Sequence, residues 1–202
     1  MMEIYLASGN AHKLEELRAA LAPAGGRVHG PGEAGGMPEV EETGTSFEEN
    51  ALLKARALAE RLPSGACALA DDSGLAVDAL NGAPGVRSAR YAGESARDAA
   101  NNARLLKELA GRPRGERGAR FVCVLALVER DGGEWTFRGE CPGRVLGEPR
   151  GEQGFGYDPL FVPEAGDGRT FAEMSAGEKQ ALSHRGRAVQ ELSTWVSRVW
   201  GA

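Results

Sequence analysis

Three groups of residues in this chain could do polar chemistry. The first is two pairs of acids, Glu41-Glu42 and Asp71-Asp72. Asp71-Asp72 directly follows Ala66 to Ala70, an apolar run that reads as a buried strand, and α/β sheets bind ligands beyond the carboxyl ends of their strands. Hard carboxylate oxygens with no cysteine or histidine beside them favour Mg²⁺ over zinc. On their own, Glu41-Glu42 read as solvated surface, and Asp71-Asp72 could equally be turn acids capping backbone amides. Placement at a strand end favours a functional role for Asp71-Asp72.

The second group suits phosphate. Ser8-Gly9-Asn10-Ala11-His12-Lys13 lies between a short strand, Glu3 to Ala7, and a helix carrying Leu14, Leu17 and Leu21 at helical spacing. A helix N-terminus offers unpaired amides and partial positive charge, glycine lets the backbone approach, and Lys13 adds a full charge. The GxxxxGK[ST] spacing of a Walker loop is absent, and an ordinary βα turn with a solvated lysine is the alternative. Asn50 and Lys54, four apart, share a helix face turned away from the Ala55, Leu58 and Leu62 stripe, and by themselves read as solvated.

The third group is aromatic and basic. In Gly151-Glu152-Gln153-Gly154-Phe155-Gly156-Tyr157-Asp158-Pro159 the glycines allow a tight backbone, Phe155 offers a stacking face, and Asp158 before Pro159 is pushed toward extended geometry. A loop with core aromatics is the other reading. Near the C-terminus, Lys179 with Ser183-His184-Arg185-Gly186 supplies donors for a phosphate or a polar base edge, although lone histidines are more often structural.

The elements that position these residues can be read from periodicity and caps. A helix starts at Ser46, with Glu49 completing a capping box, and Pro63 bounds it. Leu75 to Leu80 continues extended from the acids. Ser95 reads as the cap of a helix bearing Asp98, Leu105, Leu106 and Leu109. Phe121 to Arg130 and Glu134 to Cys141 form a hairpin around Asp131-Gly132. A last helix begins near Glu178, capped by Ser175, with a stripe of Val189, Leu192, Val196 and Val199. Helices alternating with strands early and a hairpin in the middle predict an α/β fold with a mixed sheet.

Composition bounds the function. The 24 basic and 29 acidic residues leave a charge of 24 − 29 = −5, which argues against a nucleic-acid polymer or an anionic membrane as partner. No apolar run approaches the length of a spanning helix, and Met1-Met2-Glu3-Ile4-Tyr5 does not read as a secretory signal. Cys67, Cys123 and Cys141 form no CxxC pair, and Cys67 and Cys123 lie in apolar runs as buried thiols, so a reducing cytoplasm fits. No linker divides residues 1–202, which read as one α/β domain with room for a smaller lobe inserted mid-chain.

Taken together, these segments resemble the inosine triphosphate pyrophosphatase family. The resemblance is carried by Leu6-Ala7-Ser8-Gly9-Asn10 with Lys13, Glu41-Glu42-Thr43-Gly44, Phe47-Glu48-Glu49-Asn50-Ala51 with Lys54-Ala55, and Ala70-Asp71-Asp72-Ser73-Gly74-Leu75. It continues through Gly82-Ala83-Pro84-Gly85, Ser88-Ala89-Arg90-Tyr91, Gly154-Phe155-Gly156-Tyr157-Asp158-Pro159 and Ser183-His184-Arg185-Gly186, in the family's order. The Gly/Pro-rich stretches 24–36 and 112–118 match no motif. What the resemblance implies is a mixed, elongated sheet flanked by helices, two lobes with the active site in the cleft between them, and a homodimer. It also implies Mg²⁺-dependent hydrolysis of dITP, ITP and XTP or dXTP to monophosphate and pyrophosphate. By the same resemblance Ser8, Gly9, Asn10, Ala11, His12 and Lys13 bind phosphates with Lys54. Asp72 is the catalytic base, and Ser73 touches substrate. Glu41, Glu42, Asp72 and Asp71 hold metal, and Phe155, Gly156, Tyr157, Asp158, Lys179, His184 and Arg185 surround the base. Two rivals remain: a nucleotide-binding regulator without turnover, and a triphosphatase cleaving the γ-phosphate, which would call for a Walker-type loop.

Overall fold

A computed structural model describes residues 2–200, the side chain of His12 excepted. The strands are β1 (Met2–Leu6), β2 (Gly26–His29), β3 (Cys67–Val77), β4 (Gly118–Glu129), β5 (Glu134–Val145) and β6 (Phe161–Pro163). The helices are α1 (Ala11–Leu21), α2 (Phe47–Ala59), α3 (Asp98–Glu108), α4 (Ala176–Leu182) and α5 (His184–Trp200), with short 3₁₀ turns between elements. The sheet order is β2-β1-β3-β4-β5-β6. β1 runs parallel to β2 and β3 while β6 runs antiparallel to β5, so the sheet is mixed, as the alternation of elements predicts.

The chain divides into two compact units. One comprises Met1–Asp72, Val124–Arg138 and Ala188–Ala202; the other comprises Ser73–Cys123 and Gly139–Arg187. Every boundary falls inside a strand or helix (β3, β4, β5 and α5), which is why no Pro- or Ser-rich linker marks it in the sequence.

In the first unit the apolar side of β1 and α1 is buried through Ile4, Leu6, Leu17 and Leu21. Helix α2 begins as its capping box dictates: Ser46 Oγ accepts the Glu49 amide, and the Glu49 carboxylate accepts the Ser46 amide in return. Each bond satisfies a donor that the first helical turn leaves open. Ser46→Ala is therefore expected to cost about 1 kcal/mol, and thermal melting should show a Tm lower by about 2–4 °C.

The second unit packs Phe121, Phe161 and Phe171 against Leu75, Leu105, Leu109 and Tyr157. All three cysteines are free and buried, and burial pushes the Cys67 thiol up to about 12 and the Cys141 thiol to about 11, so both are inert. Among the described residues no helix is long and apolar enough to cross a membrane.

Four local expectations change. β3 does not end before Asp71-Asp72 but continues to Val77; its pairing with β1 ends at Leu69, so the acids lie past the end of β1 rather than of their own strand. Helix α3 starts after Arg97, which makes no side-chain cap, and not at Ser95. The single C-terminal helix is two, because Ser183 is extended between α4 and α5. Val199 is 49% exposed and so leaves the buried stripe.

Candidate active site

In the first unit the β1–α1 turn is built by its own side chains. Asn10 Oδ1 accepts the Lys13 amide at 3.3 Å, and Ser8 Oγ accepts the Asn10 amide at 3.3 Å. One of the helix donors expected to face phosphate is thus used in capping, and Gly9 and Ala11 are exposed beside it. His12 lies in α1, its side chain outside those described. The Lys13 ammonium pairs with the Asp71 carboxylate.

Lys54 stands between two acids. Its ammonium lies 2.8 Å from Asp72 Oδ1 and 3.1 Å from Glu42 Oε1. Burial is the largest influence on Asp72 and pushes its carboxyl up; Lys54 opposes this, Glu42 and Asp71 add to it, and the net shift is upward. Burial likewise pulls the Lys54 ammonium down, but two carboxylates face it, and together they leave it raised. The two directions agree, because Lys54 has two counter-charges and Asp72 has one plus two like charges.

Asn50 corrects the solvated-face reading of α2, since it is 0% exposed. Its Oδ1 accepts the Gly44 amide at 2.8 Å, which fastens the loop carrying Glu41 and Glu42 onto the helix. A Cβ at Gly44 would lie 2.5 Å from that oxygen, so the close approach requires glycine. Lys54, one turn on, is thereby held near Glu42 as well as Asp72, whereas Glu41 remains exposed.

The next residues of β3, Ser73 and Gly74, line a pocket of about 140 Å³ in the second unit. That is close to the roughly 150 Å³ of a cavity that admits one benzene ring, so it suits a flat ring. Phe155 forms one wall and is 51% exposed; the Lys179 ammonium lies 4.6 Å and the Arg185 guanidinium 5.8 Å from its ring centre. Asp158 Oδ2 accepts the Phe155 amide at 2.9 Å and pairs with Lys179. Tyr157 is buried, its hydroxyl donating to the Ser88 carbonyl at 2.9 Å. Its role is in the wall's support as well as the wall.

His184 stacks on Phe121, ring centres 4.7 Å apart and planes 10° from parallel, and Arg185 Nη2 donates to Ser73 Oγ at 3.3 Å. The turn that places them needs Gly186, because a Cβ there would meet the Gln180 carbonyl at 1.9 Å. The pocket thus combines an aromatic wall with basic donors, which fits a planar ligand carrying acceptors.

The Ham1 family model matches residues 4–195. The chain belongs to the Ham1 family. Among its relatives, the dITP/XTP pyrophosphatase of Opitutus terrae is 51% identical across 98% of this chain and 100% of its own length, and that of Desulforamulus reducens is 50% identical across 98% of each. A Ham1 protein structure from Coxiella burnetii superposes with a TM-score of 0.90 at 43% identity, covering 98% of this chain and 100% of that one. The family resemblance read from the motifs is borne out.

The Ham1 motifs group by unit: Ser8 to Lys13, Glu41, Glu42, Lys54, Asp71 and Asp72 in the first, Ser73, Phe155 to Asp158, Lys179, His184 and Arg185 in the second. Motif reading missed Asp98, Asn101 and Phe121 as pocket residues. Asp98 was readable only as an acid of a polar helix start and Phe121 only as a residue of an apolar strand. The acids also suit a divalent cation in part. Asp72 Oδ2 is buried without a hydrogen-bond partner, and the donors are hard oxygens. Among the described residues no group of three acids, histidines or cysteines lies close enough together to hold a metal ion by itself.

Proposed function

We propose that this Ham1-family chain hydrolyses non-standard purine nucleoside triphosphates (dITP, ITP, XTP and dXTP) to the monophosphate and pyrophosphate, keeping such bases out of DNA and RNA. The observation that carries the reading is that β3 presents Asp72 in one unit and, in the next residues, Ser73 and Gly74 of the ring-sized pocket in the other. Full-length relatives bearing the name dITP/XTP pyrophosphatase support it.

In this reading Asp72 takes the proton of the attacking water, and the buried setting that raises its basicity suits that work. Lys13 and Lys54 neutralise the departing pyrophosphate, with the α1 amides beside them. Glu42, Asp72 and the neighbouring Glu41 and Asp71 would hold Mg²⁺, which when bound screens phosphate charge. Phe155 stacks on the base. Lys179, His184 and Arg185 offer donors toward a 6-keto oxygen, whereas the adenine amino group would meet donors with a donor and leave both unsatisfied. The buried free thiols fit work in the cytoplasm, and the motif resemblance implies a homodimer.

Incubation with dITP and Mg²⁺, with products resolved by chromatography, tests this. Pyrophosphate plus dIMP is expected, with kcat/KM for ITP at least about 10²-fold above that for ATP. Orthophosphate plus dIDP would move the cleavage to the γ-phosphate, and tight binding without turnover would make the chain a nucleotide-binding regulator.

A further inference from the structure

Phe155 poses a physical problem. It is a large apolar ring, half in solvent, on a loop whose flanking residues Gly154 and Gly156 both take positive φ, +77° and +62°. Glycines on both sides give a chain freedom that must be lost whenever the ring is used to bind. Yet the backbone around the ring is tied down at successive groups. The Phe155 amide donates to Asp158 at 2.9 Å, the Gly156 amide donates to Asp98 Oδ2 at 2.6 Å, and the Gly156 carbonyl accepts from Asn102 Nδ2 at 2.8 Å.

The last two bonds come from one element. Asp98 and Asn102 are four apart on the first turns of α3 and so share a face, and they grip the N–H and the C=O of the same residue. A carboxylate can only accept and the amide nitrogen only donates, so the pair is matched to that backbone in one orientation. Two details show that the grip is not helix chemistry. Asp98 is the first residue of α3 and sits where an acid ordinarily serves the helix's own amides, but its carboxylate is directed to Gly156. Asn102 places Nδ2 on the Gly156 carbonyl while its Oδ1 is buried with no hydrogen-bond partner, which carries a desolvation cost.

We infer that Asp98 and Asn102 are positioning residues, a clamp on Gly156 that holds the Phe155 ring ready for the purine base. The inference deepens the nucleotide reading and rests on it. Acting through Phe155, the clamp sets affinity for ligands that carry a base and leaves untouched those that carry only phosphate; Asp98 also lines the pocket, and the Phe155→Ala background separates that contact from the clamp. Asp98→Asn keeps an acceptor for the Gly156 amide; Asp98→Ala removes it.

The test measures kcat and KM for dITP, and binding of IMP and of inorganic pyrophosphate by calorimetry, in the wild type, Asp98→Ala, Asp98→Asn, Phe155→Ala and the Asp98→Ala/Phe155→Ala double variant. Asp98→Ala is expected to raise KM and weaken IMP about 10-fold, with kcat and pyrophosphate binding within about 2-fold of wild type, and Asp98→Asn to recover most of the loss. In the Phe155→Ala background the same change should cost less than about 2-fold, because the ring it positions is gone. Equal weakening of IMP and pyrophosphate, or a full 10-fold loss in the Phe155→Ala background, overturns the clamp. Failure of the wild type either to bind IMP or to turn over dITP overturns the nucleotide reading itself, and the two failures are told apart by that control.

Discussion

Asp72→Asn is expected to lower kcat on dITP by about 10³-fold with KM little changed, since a positioned general base contributes roughly 10²–10⁴-fold. Asparagine keeps the shape of the side chain and can still accept from Lys54, but it cannot take a proton from water. Because burial holds the Asp72 carboxyl above the 3.8 of a free aspartate, wild-type activity should fall on the acid side at a pH above that value, as the base takes up its proton. The stability sign is the reverse. A carboxyl whose folded pKa is raised destabilises the fold while ionised, and that penalty is relieved as pH falls through the raised pKa. Asp72→Asn should therefore melt no lower than wild type at neutral pH, the usual signature of a residue kept for chemistry. Steady-state kinetics with parallel melting decides it: a kcat within 10-fold of wild type would remove Asp72 from the base role.

The motifs made the polar residues legible because each is a short run with a local reason: a glycine-flanked ring, acids after an apolar strand, a lysine one turn past a cap. What escaped depends on contacts far apart in sequence. Asn50 looks solvated in a helical wheel, yet it is buried and its Oδ1 accepts the Gly44 amide from a loop six residues earlier. Asp98 looks like a capping acid, and its 2.6 Å bond to Gly156 spans 58 residues. The break between α4 and α5 follows from Ser183, whose hydroxyl accepts the Gly186 amide at 3.0 Å and restarts the helix, a signal present in the sequence but masked by continuous helical spacing. The mixed sheet was readable from the order of elements. The division into two units was implied by the family resemblance alone, because each boundary is hidden within a regular element and no linker marks it.

Net charge carries a related lesson. The surplus of acids is real at −5, yet Asp71, Asp72 and Glu42 are matched by Lys13 and Lys54 within the first unit, and Asp158 by Lys179 within the second. Local pairing, not the total, decides whether an anion can be received, and displacing a lysine from its acid frees a cation and an oxygen donor together.

That exchange is the basis of the second large effect. Lys54→Met is expected to lower stability by about 3 kcal/mol, seen as a Tm drop of about 6–12 °C, because it leaves the Asp72 and Glu42 carboxylates without their shared cation. The pair is well shielded, the Lys54 and Asp72 side chains being 16% and 11% exposed, so solvent does little to soften the loss. Its pH dependence follows from the two shifts. In the wild type the raised Lys54 contributes stability that is fully present below 10.5 and lost only as pH rises through its still higher folded value. In the variant burial still pushes Asp72 up and the opposing ammonium is gone, so Asp72 moves further up, and the deficit should be largest at neutral pH and shrink as acid protonates it. Activity should fall too, by about 10²–10³-fold in kcat/KM, since a donor aimed at developing phosphate charge is lost. Mg²⁺ separates this account from simple unfolding: with Glu42 and Asp72 released from the ammonium, added Mg²⁺ should raise the Tm of Lys54→Met more than that of the wild type. An equal rise in both would mean that Lys54 and the metal do not compete for the same oxygens.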